Sequence, residues 1–170
     1  MIRKASPREI PEMLEIYNWE VRNSTSTFDV DPAAELVHWS PGFPCLVDLD
    51  PETGVVRGYS YLGRYRDRAA FDVTAEIAVY VHKGMSQTFN NLMRTSVDHR
   101  RHGIARALAG TILAEAKQRG FHSVVAVVCS ENSASVALLH GLCFETVGVL
   151  RQVGQKFGRL LDVTMLQLLL

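Results

Sequence analysis

One stretch constrains this chain more than any other: Asp98-His99-Arg100-Arg101-His102-Gly103-Ile104-Ala105, running straight into a helical pattern from Arg106 to Arg119. Basic residues and a glycine stand where a helix begins. There the first backbone N–H groups lack intrahelical partners and the positive end of the helix dipole points outward, so an anion is favoured. Gly103 lets the backbone approach a phosphate closely, and the small Ala105 keeps the first turn uncrowded. The competing explanation is a plain solvated turn before a helix.

The bulk charge offers no other source of anion affinity. Eighteen Lys and Arg balance 18 Asp and Glu, so neither nucleic acid nor an anionic membrane is expected as a partner, and any anion site must be local. The 170 residues suit a single domain spanning 1–170, large enough to bury its own core. Three scattered cysteines, Cys45, Cys129 and Cys143, fit buried thiols in a reducing compartment better than a disulfide framework or a zinc site. The start, Met1 to Pro11, is charged, and no apolar run approaches membrane length, so a cytoplasmic protein with no metal is expected.

Along the chain, Ile2 to Ala5 reads as a short extended start. Ser6-Pro7-Arg8-Glu9 then resembles a helix cap, and Ile10, Met13, Leu14 and Tyr17 give one apolar face up to about Arg22. The polar loop from Asn23 to Phe28 is either a connector or a substrate lining, and Asp31 to Glu35 predicts a second, shorter helix. Strand patterns occupy Cys45–Leu49 and Val55–Leu62 around the turn Asp50 to Gly54, which together predict a hairpin. Beyond it, Arg64, Arg66 and Arg68 would share one side of an extended chain, as a solvated edge or an anchor for a carboxylate. Thr74–Val81 is a third strand with one misfit, Glu76. A carboxylate in an apolar segment is costly unless paired, hydrated or used.

Lys83 to Val97 shows no dependable period and predicts a long irregular loop or a short helix. The helix after Gly103 ends near Gly120, Ser123–Cys129 is apolar on both faces as in a central strand, and Ser130 to Ser135 supplies caps for a short helix over Val136–Gly141. Two last strands, about Glu145–Val153 and Leu161–Leu169, meet at a turn with Gly154 and Gly158. The order β-α-α-β-β-β-loop-α-β-α-β-β predicts an α/β (α+β) fold, a mixed central sheet with helices on both faces.

That order carries a set of local matches: Ile16-Tyr17-Asn18 ahead of Asn23-Ser24-Thr25 and Phe28; Tyr65-Arg66-Asp67-Arg68-Ala69-Ala70-Phe71; Glu76 before Val79-Tyr80-Val81; Arg100 to Ala105; and Asn132-Ser133-Ala134-Ser135 with Phe144. In these residues the chain resembles the GNAT acetyltransferases, and within them the phosphinothricin and methionine sulfoximine N-acetyltransferase group. The resemblance implies a GNAT fold with a splay in the sheet at an acetyl-CoA site. It implies that Arg100, Arg101, His102, Gly103, Ile104 and Ala105 cradle the pyrophosphate of acetyl-CoA. Val79 and Val81 would pair with its pantetheine arm through exposed backbone, and Asn132 and Ser135 would hydrogen-bond the same arm. Glu76 matches the general base, which the chemistry requires because an ammonium is not a nucleophile. Phe28 and Arg66 would line the substrate, Arg66 gripping its carboxylate. A homodimer is also implied.

Two departures stand against the resemblance. The connection Lys83 to Val97 is over a dozen residues longer than in relatives, either bulging beside the cleft with strand and helix left in place or arising as a gene-model artefact. In the last helix, Leu139 falls at the usual histidine and Cys143 at the usual glycine, with His140 one residue away to compensate. The expected function is therefore acetyl transfer to the primary amine of a small amino acid or analogue. The alternatives are a catalytically impaired CoA-binding sensor or interaction module, and a protein N-terminal acetyltransferase.

Overall fold

The computed structural model describes residues 1–36, 42–84, 86–89, 92–95, 98 and 102–170, with backbone alone at 86–89 and 92–95. Its elements run β1 (Ile2–Lys4), α1 (Ile10–Asn23), β2 (Cys45–Leu49), β3 (Val56–Arg64), β4 (Thr74–Val81), β5 (Ser86–Phe89), β6 (Leu92–Thr95), α2 (Ile104–Gln118), β7 (Ser123–Cys129), α3 (Ser133–His140), β8 (Glu145–Lys156) and β9 (Arg159–Leu169). Seven strands form one sheet in the order β1-β2-β3-β4-β7-β9-β8. Every neighbouring pair is antiparallel except β4 and β7, which run parallel. The expected mixed sheet is thus observed.

Strand alternation distributes the apolar residues to two faces. Leu46, Leu62, Ala75, Ile77, Val124, Ala126 and Leu166 pack with Ile104, Leu108, Ile112 and Ala116 of α2. Cys45, Val47, Val56, Tyr59 and Tyr61 pack on the other face with Met13 and Ile16 of α1. The 3–4 spacing read in α1 and α2 is therefore the spacing of residues that meet the sheet. Ahead of α1, the Glu9 carboxylate accepts from the N–H and the hydroxyl of Ser6, each at 2.8 Å, and is forked by Arg3 at 2.8 and 3.2 Å. The Arg3 guanidinium first, then Ser6, holds this carboxyl down to about 2 against the opposing effect of burial.

Three local expectations are corrected. No helix begins over Asp31 to Leu36; the chain bends there because Asn18 donates to the Ala33 carbonyl at 2.9 Å and accepts from its N–H at 2.8 Å, taking the backbone groups a helix needs. The arginines Arg64, Arg66 and Arg68 do not share a strand face. The strand stops at Arg64, which pairs with Asp72 at 3.4 Å, and the chain then turns through a 3-10 helix at Ala69–Phe71.

The third correction concerns Lys83 to Val97. It holds an antiparallel pair, β5 with β6, registered from Ser86↔Thr95 to Phe89↔Leu92 and closed below by the bridge Lys83↔Asp98. A two-stranded ladder with four residues a side is too short to show a reliable period, and the overlooked signal is the Asn90-Asn91 dipeptide between its halves. Before the segment β4 runs to Val81, and after it α2 begins at Ile104.

Candidate active site

The parallel pair β4 and β7 is registered at Thr74↔Ser123, Ala75↔Val124 and Glu76↔Val125, and there the pairing ends. Both strands continue, β4 to Val81 along β3 and β7 to Cys129 along β9. The sheet is therefore opened into a wedge with Glu76 at its vertex. Among the described residues, the edge of β4 turned toward β7 has no strand partner from Ile77 to Val81, which includes the expected backbone at Val79 and Val81.

Each arm ends at the start of a helix. At the end of β4, Gly58 lies opposite Val81 in β3, and a Cβ there would sit 2.8 Å from the Tyr80 carbonyl and 3.3 Å from side-chain atoms of Ile104 and Leu108. Only a bare backbone lets the first turn of α2 lie this close to the sheet. Gly103, at φ 77°, caps that helix in the left-handed conformation that glycine tolerates. The Ala107 N–H is the one that reaches back to the Gly103 carbonyl, at 2.9 Å, so the earlier N–H groups at Ile104, Ala105 and Arg106 have no intrahelical acceptor. His102 and Gly103 are exposed, and Arg106 donates to the Gly141 carbonyl at 2.9 Å, tying α2 to the end of α3. Arg100 and Arg101 lie outside the described residues.

At the end of β7, the Asn132 side chain accepts from the Ser135 N–H at 3.2 Å and so caps α3. Its amide donates to the Ser26 hydroxyl at 3.3 Å. For a ligand in the wedge, Ser135 keeps its hydroxyl, while its N–H is already used. Farther along α3, Leu139 is core, and His140 is turned outward to Thr146 at 2.9 Å.

Glu76 shares a strand face with Ala78 and Tyr80, both packed on the cluster beneath α1. Its half-buried carboxylate lies close enough to Tyr61 to help push that phenol up, after burial and alongside Tyr17. Around it stands a tyrosine group: Tyr80 lies 5.2 Å from Tyr59 and 5.5 Å from Tyr17 between ring centroids. Burial raises all of these phenols well above their ordinary value, so they are protonated at neutral pH.

The loop after α1 closes over the same face. Tyr17 donates to Asp29 at 2.6 Å and shares a hydrogen bond with Thr27 at 2.9 Å. The buried Lys156 ammonium donates to the Thr27 carbonyl at 2.7 Å, and Phe28 rests against the bare Cα of Gly154. Arg66 stands 4.7 Å over the Tyr65 ring and lines a shallow groove with Asp67, Arg68 and Phe71. Among the described residues, Arg66 and Phe28 share no hydrogen bond, ion pair or ring contact. Gly58, Gly154 and Lys156 shape this region without having been revealed by the sequence, since a glycine or lysine carries no signal until its neighbour across the fold is known. Among the described residues, no three His, Cys, Asp or Glu side chains are grouped as a metal ion requires, and no helix is long and apolar enough to cross a membrane.

Residues 13–142 match the Acetyltransferase (GNAT) family. The chain is 36% identical over 174 residues to an L-methionine sulfoximine/L-methionine sulfone acetyltransferase from Pseudomonas paraeruginosa, covering 98% of this chain and 92% of the relative. It superposes with a TM-score of 0.86 and 28% identity on a phosphinothricin acetyltransferase from Sinorhizobium meliloti solved with acetyl-CoA, covering 100% of this chain and 88% of the other. A ribosomal-protein-alanine N-acetyltransferase from Brucella melitensis superposes with a TM-score of 0.82 and 32% identity, covering 100% and 99%.

Proposed function

The chain belongs to the acetyltransferase (GNAT) family, with acetyl-CoA as co-substrate, and from that premise we propose that it acetylates the primary amine of a small amino acid or analogue of the methionine sulfoximine or phosphinothricin kind. Its mixed seven-stranded sheet is the GNAT fold. One observation carries the reading: the wedge between β4 and β7 has a carboxylate at its vertex and, at its mouth, helix N–H groups that have no intrahelical acceptor.

The residues present fit the co-substrate. The N–H groups at the start of α2, with Gly103 and His102 beside them, would hold a pyrophosphate, helped by Arg100 and Arg101. The edge of β4 at Val79 and Val81 offers an extended backbone to an amide-bearing arm, and Ser135 and Asn132, at the start of α3 beyond β7, would hydrogen-bond the same arm. Acetyl-CoA supplies an acetyl thioester, whose carbonyl carbon the free amine attacks and whose thiolate leaves. Glu76 acts before that, taking the ammonium proton directly or through water so that the nitrogen lone pair is free. The loop Ser24 to Asp29, with Phe28, walls the amine's side chain, and Arg66 meets its carboxylate.

We place the protein as a single domain in the cytoplasm, on the strength of its three free cysteines. We also propose a homodimer, supported by the exposed apolar residues Val147, Val149, Leu150, Val153, Phe157 and Leu160 on β8, β9 and their turn. The similarity to a ribosomal-protein-alanine acetyltransferase favours a second reading, a peptide N-terminus as the amine. Arg66 weighs against it, since the first residue of a peptide has no free carboxylate. The test is Glu76→Gln with methionine sulfoximine as substrate: kcat is expected to fall by about 100-fold while acetyl-CoA still binds. A variant with undiminished turnover would remove Glu76 from the chemistry, and preferential turnover of alanyl peptides would favour the second reading.

A further inference from the structure

The inserted segment begins at Lys83, whose side chain leaves the hairpin and reaches α1. Its ammonium lies 2.8 Å from each carboxylate oxygen of Glu20 and 4.8 Å over the Trp19 ring. Glu20 is 3% exposed, and a carboxylate so buried requires a cation or protonation. The same carboxylate accepts from the Ser24 hydroxyl, whose oxygen in turn accepts from the Ser26 N–H at 3.1 Å. Ser26 then meets Asn132 at 3.3 Å. A continuous polar chain thus runs from the first residue of the insertion, through the loop that leaves α1, to the cap of α3 on the β7 arm of the wedge.

The far half of that loop is held independently, by Tyr17 at Thr27 and Asp29 and by Lys156 at the Thr27 carbonyl. The near half, Ser24 to Ser26, hangs from Glu20, whose backbone carbonyl accepts from the Ser24 N–H at 3.0 Å and whose carboxylate takes the Ser24 hydroxyl and so sets where it points. The base of the insertion is itself fixed, because Lys83 is bridged to Asp98 and Gly84 at φ 71° lies so close that a Cβ would meet the Asp98 nitrogen at 2.9 Å.

We propose that Lys83 is a positioning residue for the amine: by neutralising Glu20 it fixes Ser24 and Ser26, so the inserted hairpin is wired to amine binding. This rests on the assignment of the 24–29 loop to the amine site. The consequence is a specific kinetic split. Removing the cation leaves the Glu20 carboxylate buried without its counter-charge, and water drawn in to solvate it competes for the Ser24 hydroxyl. The co-substrate cradle at Gly103 is untouched.

The experiment is steady-state thiol release with methionine sulfoximine for the wild type, Lys83→Met, Lys83→Arg, Ser24→Ala and the Lys83→Met/Ser24→Ala double variant. Lys83→Met is expected to raise the amine KM tenfold or more, with kcat and the acetyl-CoA KM within threefold of wild type, and Lys83→Arg is expected to restore it. Ser24→Ala should reproduce the effect, and adding Lys83→Met to it should raise the KM by less than a further threefold, since both act through one link. An unchanged amine KM in Lys83→Met, or a proportional loss of all three parameters with a lowered Tm, would overturn the proposal. If Lys83→Met does not fold, a normal amine KM in Ser24→Ala overturns it equally. A wild type without turnover of any amine would overturn the acetyltransferase reading first and this proposal with it.

Discussion

Gly154→Ala tests whether Phe28 walls the amine site. A Cβ built on Gly154 would lie 2.4 Å from both Cδ1 and Cε1 of Phe28 and 3.7 Å from Cζ. Carbon atoms in contact settle at roughly 3.5–4.0 Å, so the ring must retreat by about 1 Å or more. Phe28 is only half-buried and has solvent to move into. The stability cost is therefore that of mild overpacking, about 1–2 kcal/mol, or roughly 3–6 °C in Tm for a chain of this size. Displacements of about 1 Å in groups that position a substrate can cost up to 100-fold. For a wall residue we expect the KM for methionine sulfoximine to rise about tenfold, with acetyl-CoA affinity by calorimetry unchanged. Thiol release at saturating acetyl-CoA reads the first quantity and thermal unfolding checks the fold. A folded variant with an unaltered amine KM would refute the placement of Phe28 against the substrate.

Other consequences can be measured without substrate. Glu9, with its carboxyl held down to about 2 by Arg3 and Ser6, contributes stability that is complete above the unfolded pKa near 4.3 and is lost as pH falls toward 2. Glu9→Gln should flatten the Tm profile across that window, by about 1 kcal/mol because the Arg3 side is solvent-screened; equal acid sensitivity in the variant would contradict this. Cys143 holds φ 66°, a left-handed backbone that glycine adopts without penalty. Relieving a strain of about 1–2 kcal/mol against an entropy cost of roughly 0.5–1, Cys143→Gly should raise Tm by a degree or more, and a lower Tm would contradict the strain argument. Val149→Lys with Leu160→Lys should shift the protein from dimer to monomer in sedimentation equilibrium without unfolding it, whereas unchanged sedimentation would place any interface elsewhere.

Local patterns made the sheet and its two covering helices legible, because burial on alternate faces leaves a period in the sequence that the structure only confirms, as at Ile104 to Ala116. The helix start at Gly103 was legible for a related reason, since a glycine cap and the helix it opens are one local event. What escaped reading depends on partners far along the chain. Asn18 cancels a helix at Ala33, and Gly58 matters because Ile104 passes over it. Lys83 and Lys156 carry no signal until Glu20 and the Thr27 carbonyl are found opposite them. The splay itself is invisible in the sequence, being the end of a register between strands separated by α2.

The most direct test of the account is thiol release by the wild-type protein with acetyl-CoA and free methionine sulfoximine, followed by identification of the product. The expected result is one N-acetylated amine per thiol released, at saturating rates in the ordinary enzymatic range of about 1–1,000 per second. A protein that binds acetyl-CoA yet releases no thiol above background, with methionine sulfoximine, phosphinothricin or any free amino acid, would contradict it.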